Sequence, residues 1–326
     1  KLTGAIGFMG SLYSDAARPL IDKQSGISQG WLRYRFEPIK RDDFALRVKL
    51  KAGAFWDRFG YLPKYDTYIF GRTHQMGEQV RVEADVGDVT VHALHGLGTH
   101  LEAIDANQGL TLLHYASAGA RYKQLVEGGL YFLESVARDK RQLKELTDAE
   151  VNVVGVDLRA DTRYFGKIYG ATSYVRGDQA TFTSPALEIM HAYGGRGLTE
   201  NYFGTEKSDN GTGSLSNVGF QYDLSVNGLV KAWTDQPGIF PWGGDLSASV
   251  FGVYTFVQSK QKDLDPRVNR DDRKMWKYGA DLEYRVTSFV GASVRYDRVV
   301  LDVDDSANSF RILSPRLSLH TSFVTR

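Results

Sequence analysis

The sequence predicts an all-β fold, a transmembrane up-and-down antiparallel β-barrel of about 16 strands, with about 14 to 18 compatible with the pattern. Three observations lead to this prediction. Apolar and polar residues alternate with period two over long runs, and long polar segments alternate with tight turns along most of the chain. In addition, no stretch reaches the roughly 18 apolar residues of a membrane-spanning helix.

The alternation is clearest over residues 44–56. Every even position there is apolar, whereas the odd positions include Arg47, Lys49 and Lys51. Successive side chains of a strand point to opposite faces, so the segment has one apolar and one charged face. Similar runs return at 215–226, 245–258 and 275–286. Their lengths of about 9 to 13 residues exceed those of ordinary strands and suit a tilted membrane crossing.

The predicted strands follow one another without a linker, a repeat or a low-complexity segment, so residues 1–326 form a single barrel domain. Long and short connections alternate through residue 184, as an up-and-down barrel requires. The alternation then breaks, because 194–214 and 234–244 are both long. The predicted strands are 1–13, 27–37, 44–57, 78–85, 89–97, 110–118, 127–137, 151–160, 163–174, 185–193, 215–226, 229–233, 245–258, 275–286, 289–301 and 309–323.

Composition excludes several classes of site. The chain has no cysteine, so it has neither a disulfide scaffold nor a thiolate metal site. Its net charge of +1 provides no general attraction to nucleic acid. His92 and His95 would point to opposite faces of a strand, which argues against a metal site. No nucleophile, phosphate-loop or dinucleotide motif occurs, and we expect no enzymatic activity, no cofactor and no metal.

A basic cluster is the most informative group of side chains. It consists of Arg33 and Arg35 on one predicted strand, and Arg47, Lys49 and Lys51 on the next. If the apolar faces meet lipid, these five cations line one wall of the lumen. The polar face also carries acidic residues, among them Glu83, Asp281 and Glu283. The cluster is therefore either a web of ion pairs that stiffens the wall or a guide for anionic solutes.

The alternating runs 44–56 and 276–286, with the many strands around them, resemble a Gram-negative outer-membrane β-barrel of the porin type. One departure is the end of the chain, Ser322-Phe323-Val324-Thr325-Arg326, because such barrels commonly finish on an aromatic residue. The resemblance implies residence in the outer membrane and contact with its lipid. A barrel of about sixteen strands is wide enough for an aqueous channel, so we expect passive or weakly selective diffusion of small hydrophilic solutes, and the basic cluster favours anions.

Two other functions stay open at this point. The first is a structural or export barrel, such as a polysaccharide exit pore or a component of a multiprotein envelope machine, with protein partners at its loops or periplasmic rim. The second is a soluble β-propeller or sandwich enzyme. Both would use many strands, so the strand pattern alone does not decide among them.

Overall fold

A computed structural model of the chain describes residues 2–15, 18–58, 72–100, 111–137, 149–178, 212–234, 239–240, 244–259, 273–287, 290–300 and 309–319. These residues form fourteen strands and one helix. The elements are β1 (Leu2–Asp15), β2 (Arg18–Lys40), β3 (Phe44–Arg58), β4 (Arg72–Val86), β5 (Val89–His100), β6 (Thr111–Tyr122), β7 (Val126–Ala137), β8 (Ala149–Asp161), β9 (Lys167–Asp178), β10 (Thr212–Ser225), α1 (Val226–Thr234), β11 (Asp245–Ser259), β12 (Arg273–Arg285), β13 (Val290–Val300) and β14 (Ser309–Leu319).

All fourteen strands belong to one sheet, in which each strand pairs with the next along the chain. Each of these pairings is antiparallel, so the topology is up-and-down, as the sequence predicts. Within the described ranges, no pairing joins β14 to β1, so closure of the sheet is not observed there. The all-β antiparallel class is confirmed, whereas the count of about sixteen strands is not.

Two predicted strands account for the difference in count. The prediction of a strand at 229–233 is wrong, because these residues lie in α1. Ser225 begins this helix, since its Oγ accepts the backbone N–H of Gly228 at 3.0 Å, as an N-cap residue does. The predicted strand 185–193 lies outside the described residues. No helix of the described chain is long and apolar enough to cross a membrane.

The direct pairing of β9 with β10 explains the break in the predicted alternation. Tyr174 lies opposite Ser216, so no other strand stands between these two in the sheet. β9 and β10 are therefore neighbours in the sheet, and residues 179–211, which separate them in sequence, lie outside the described residues. The short connections 41–43, 87–88, 123–125, 162–166 and 286–289, together with the connection that contains α1, lie at one end of the sheet, which we call the short-turn rim.

Gly166 ends the turn between β8 and β9 in a conformation that other residues avoid. Its φ is +96°, and an added Cβ would collide with the carbonyl oxygen of Asp223. We expect Gly166→Ala to destabilise the protein by at least about 2 kcal/mol, because backbone strain and the collision act together. Gly170→Ala is the control, since an added Cβ meets no atom there. Equal midpoints of urea unfolding for the two variants would contradict this prediction.

The two faces of the sheet differ in character. Leu130, Leu158 and Leu282 are 61%, 53% and 52% exposed, whereas the residues beside them in sequence are buried or half-buried. The opposite face buries charged side chains such as Glu83 and Asp297. We call the exposed apolar face the outer face and the covered polar face the inner face. A continuous exposed apolar face of this size requires an apolar surrounding, which lipid provides.

Candidate functional site

The five predicted cations lie on neighbouring strands, with Arg33 and Arg35 exposed on β2. The other three, on β3, are half-buried. The register places Arg33 opposite Lys51 and Arg35 opposite Lys49. Like charges directly opposite each other repel across about 5 Å. This arrangement therefore requires either nearby carboxylates or contact with anions.

Glu83 of β4 supplies one of these carboxylates. Its Oε1 lies 2.7 Å from Lys49 Nζ and 2.8 Å from Arg81 Nε, and its Oε2 lies 3.7 Å from Arg47 Nε. Three cations thus converge on one buried carboxylate. The sequence analysis includes Glu83 but misses Arg81. The available signal was its position two residues before Glu83, which places both side chains on one face of a strand.

Asp85 supplies a second carboxylate nearer the short-turn rim. Arg47 Nη2 donates to Asp85 Oδ1 at 2.6 Å, and the Thr90 hydroxyl donates to the same oxygen at 2.7 Å. Glu37 is the third, bonded to Arg35 at 2.7 Å. We give the name charged wall to nine inner-face residues of β2, β3 and β4. They are six cations and three carboxylates, which is an excess of three positive charges within the group: Arg33, Arg35, Arg47, Lys49, Lys51 and Arg81 against Glu37, Glu83 and Asp85.

Aromatic rings support the cations farthest from the short-turn rim. The guanidinium carbon of Arg33 lies 5.4 Å from the ring centroid of Trp31, and Lys51 Nζ lies 5.2 Å from the same centroid. Lys51 Nζ is also 3.7 Å from the centroid of Phe55. A ring face attracts a cation without neutralising it. The charged wall is therefore a network of ion pairs near the short-turn rim. Farther from that rim, its cations Arg33 and Lys51 also contact aromatic rings.

The predicted acidic residues Asp281 and Glu283 belong to a different part of the sheet. Both lie on β12, where Asp281 is buried opposite Arg295 of β13 and Glu283 pairs with Arg285 at 3.2 Å. Arg295 also pairs with Asp297 at 2.9 Å. Glu283 therefore has a cation of its own strand beside it, and Asp281 lies opposite a cation of the neighbouring strand. Of the three predicted acids, Glu83 alone joins the predicted cations in the described structure.

The histidines lie on both faces of the sheet. His92 is half-buried on the inner face, whereas His95 is exposed on the outer face, as the alternation predicts. His95 Nε2 lies 3.0 Å from His114 Nε2, and His114 Nδ1 lies 3.6 Å from Glu134 Oε2. In the described ranges no three His, Asp or Glu residues are grouped as a metal site would require.

The inner face has a second feature that the sequence analysis misses. In the half of the strands farthest from the short-turn rim, nine of its apolar side chains are at most 2% exposed. Gln75 joins this level, because its amide donates to the Tyr115 hydroxyl at 2.7 Å. The sequence signal was an apolar residue at a position where the alternation predicts a polar one. Leu133 is an example, because it lies on the same face of the strand as Ser135. We call this group the buried apolar tier: Phe55, Leu113, Tyr115, Leu133, Val153, Val175, Val253, Met275 and Val299.

Comparison with solved structures finds distant likenesses over nearly the whole chain. OmpT (in-vitro folded), an outer membrane protein of Vibrio cholerae, is 10% identical, with 97% of this chain and 93% of that chain covered and a TM-score of 0.42. Its loop L8 deletion mutant is 11% identical, with coverages of 96% and 99% and a TM-score of 0.42. A Pseudomonas aeruginosa FadL homologue is 13% identical, with coverages of 97% and 85% and a TM-score of 0.27. No protein-family model and no curated protein sequence matches the chain.

At these TM-scores the alignments carry no argument, so the assignment of the fold rests on the sheet itself. Fourteen antiparallel strands in chain order have an exposed apolar face and a covered polar face. Five connections of two to five residues lie at one end of the sheet. The described sheet has the chain-order antiparallel topology and the two contrasting faces that are typical of outer-membrane β-barrels.

Proposed function

We propose that this protein is an outer-membrane channel for passive diffusion of small hydrophilic solutes, with a preference for anions and with its short-turn rim on the periplasmic side. The charged wall carries the proposal, because its six cations exceed its three carboxylates on one side of the inner face. Confined positive charge raises the local concentration of anions even when the whole chain is nearly neutral. The predicted pore-lining residues Arg33, Arg35, Arg47, Lys49 and Lys51 would act together with Arg81.

Reversal potential across a salt gradient in planar bilayers tests this function. We expect the native protein to favour chloride over potassium, and the Arg47→Gln, Lys49→Gln, Lys51→Gln triple variant to lose most of that preference. A matched control removes three exposed cations outside the charged wall: Lys231→Gln, Lys274→Gln and Arg311→Gln. High ionic strength should weaken the preference. Cation selectivity, or equal shifts in the triple variant and its control, would overturn the proposed preference.

The buried apolar tier favours a second candidate function, a barrel closed to solutes that serves as a structural component of the envelope. Its nine side chains are almost completely buried on the inner face. Hydrated ions cross a dry apolar level poorly. Stable conductance of the native protein in bilayers would exclude this candidate, and absence of conductance from correctly folded protein would exclude the channel.

A further inference from the structure

A polar cleft opens at the short-turn rim, below the charged wall. Its volume is about 760 Å³, and it lies among the turns β4–β5, β6–β7 and β8–β9. Four cations line it, which are Arg47, Arg121, Lys123 and Arg163, and three carboxylates accompany them. Because three separate turns form its walls, its shape depends on the sheet and not on one loop.

The innermost wall of the cleft is a chain of contacts across four strands. Arg47 donates to Asp85, and the Thr90 hydroxyl donates to the same carboxylate at 2.7 Å. Arg121 Nη2 in turn donates to Thr90 Oγ1, at 3.4 Å. Asp85 is thus already bonded to Arg47 and Thr90, and the link of Arg121 to Thr90 is long. Arg121 has no carboxylate partner among the described residues.

The outer carboxylates of the cleft also have cation or amide partners. Asp88 lies 3.1 Å from Lys123 Nζ, and this contact raises the pKa of Lys123 above its ordinary value, so the lysine stays charged. Asp161 lies 3.6 Å from Lys167 and accepts the backbone N–H of Arg163 at 2.8 Å. The guanidinium of Arg163 forms no ion pair within the described ranges. Two guanidinium groups, those of Arg121 and Arg163, are therefore available to a ligand.

We propose that this cleft binds the anionic group of a small solute, a phosphate or a carboxylate, between Arg121 and Arg163. A guanidinium presents paired N–H donors whose spacing matches two oxygens of either group. Lys123 and Arg47 add positive potential without needing direct contact. The site goes beyond the proposed channel, because it requires no conducting path and would place a docking position at the periplasmic mouth.

Calorimetric titration of the detergent-solubilised full chain tests the site, with inorganic phosphate and citrate as separate probes. We expect the native protein to bind at least one of them, and Arg121→Gln and Arg163→Gln each to weaken binding about tenfold, the loss of a charge-assisted contact. Lys231→Gln is the matched control, since it removes an exposed cation of the same rim that does not line the cleft. The probe that binds more tightly identifies the anionic group.

Several results would overturn the site. These are no binding of either probe by the native protein, native affinity in both arginine variants, or an equal loss in Lys231→Gln. If Arg121→Gln does not fold, the exposed turn variant Arg163→Gln decides alone. Binding without conductance in bilayers would retain the site and exclude the channel, whereas conductance without binding would do the reverse.

Discussion

Leu50→Arg is expected to destabilise the folded protein in lipid by about 2 to 4 kcal/mol, whereas Lys51→Leu should cost less than about 1 kcal/mol. Leu50 lies near the middle of β3 on the outer face, where 41% of its surface is exposed. An arginine there would place a charge near the centre of the apolar band. Lys51 points to the inner face, where a leucine would lose the cation–π contacts with Trp31 and Phe55 but would place no charge in the apolar band.

Urea unfolding of both variants in lipid vesicles, followed by tryptophan fluorescence, measures this difference. The same pair in detergent micelles is an internal control, because a micelle adapts to a surface charge more easily than a bilayer does. Since the two positions are adjacent on one strand, local propensity and depth in the membrane are nearly matched. Equal penalties in lipid would mean that the outer face does not meet the membrane.

Glu83→Gln is expected to have the second large effect, a loss of about 3 kcal/mol in the free energy of unfolding. The substitution keeps the shape of the side chain but removes the carboxylate on which Lys49, Arg81 and Arg47 converge. Of these three half-buried cations, Arg47 would keep its ion pair with Asp85, and Lys49 and Arg81 would lose the carboxylate that they contact in the described structure. The same variant should increase the preference for anions, because the excess charge of the wall rises from three to four.

Glu37→Gln is the matched control for this prediction. Glu37 also pairs with an arginine at 2.7 Å, but both partners are solvent-exposed, so water screens the pair and it contributes little to stability. Urea unfolding gives the stabilities, and reversal potentials give the selectivities. Equal destabilisation by the two variants would show that the convergence of cations on Glu83 does not stabilise the wall.

The sequence predicts most of the sheet because the physical signal is local. The alternation over 44–56 and 275–286 depends only on which side chains face lipid. The structure has strands in both segments, with their apolar alternate residues on the outer face. The error at 229–233 has a physical cause as well. Leu229, Val230 and Trp233 are compatible with a strand, but the cap formed by Ser225 begins a helix, and a cap depends on one side chain more than on periodicity.

The sequence by itself determined the class of the fold, the identity of the two faces and the grouping of Arg33, Arg35, Arg47, Lys49 and Lys51 on one of them. It could not determine which charges meet, because a contact between strands depends on register. Only the tertiary structure added Arg81 to the charged wall and separated Asp281 and Glu283 from it. It also showed that Arg121 and Arg163 line the same cleft. A shift of one residue in register would move the side chains of a strand to the opposite face of the sheet. The pairing of segments that are distant in sequence fixes the register.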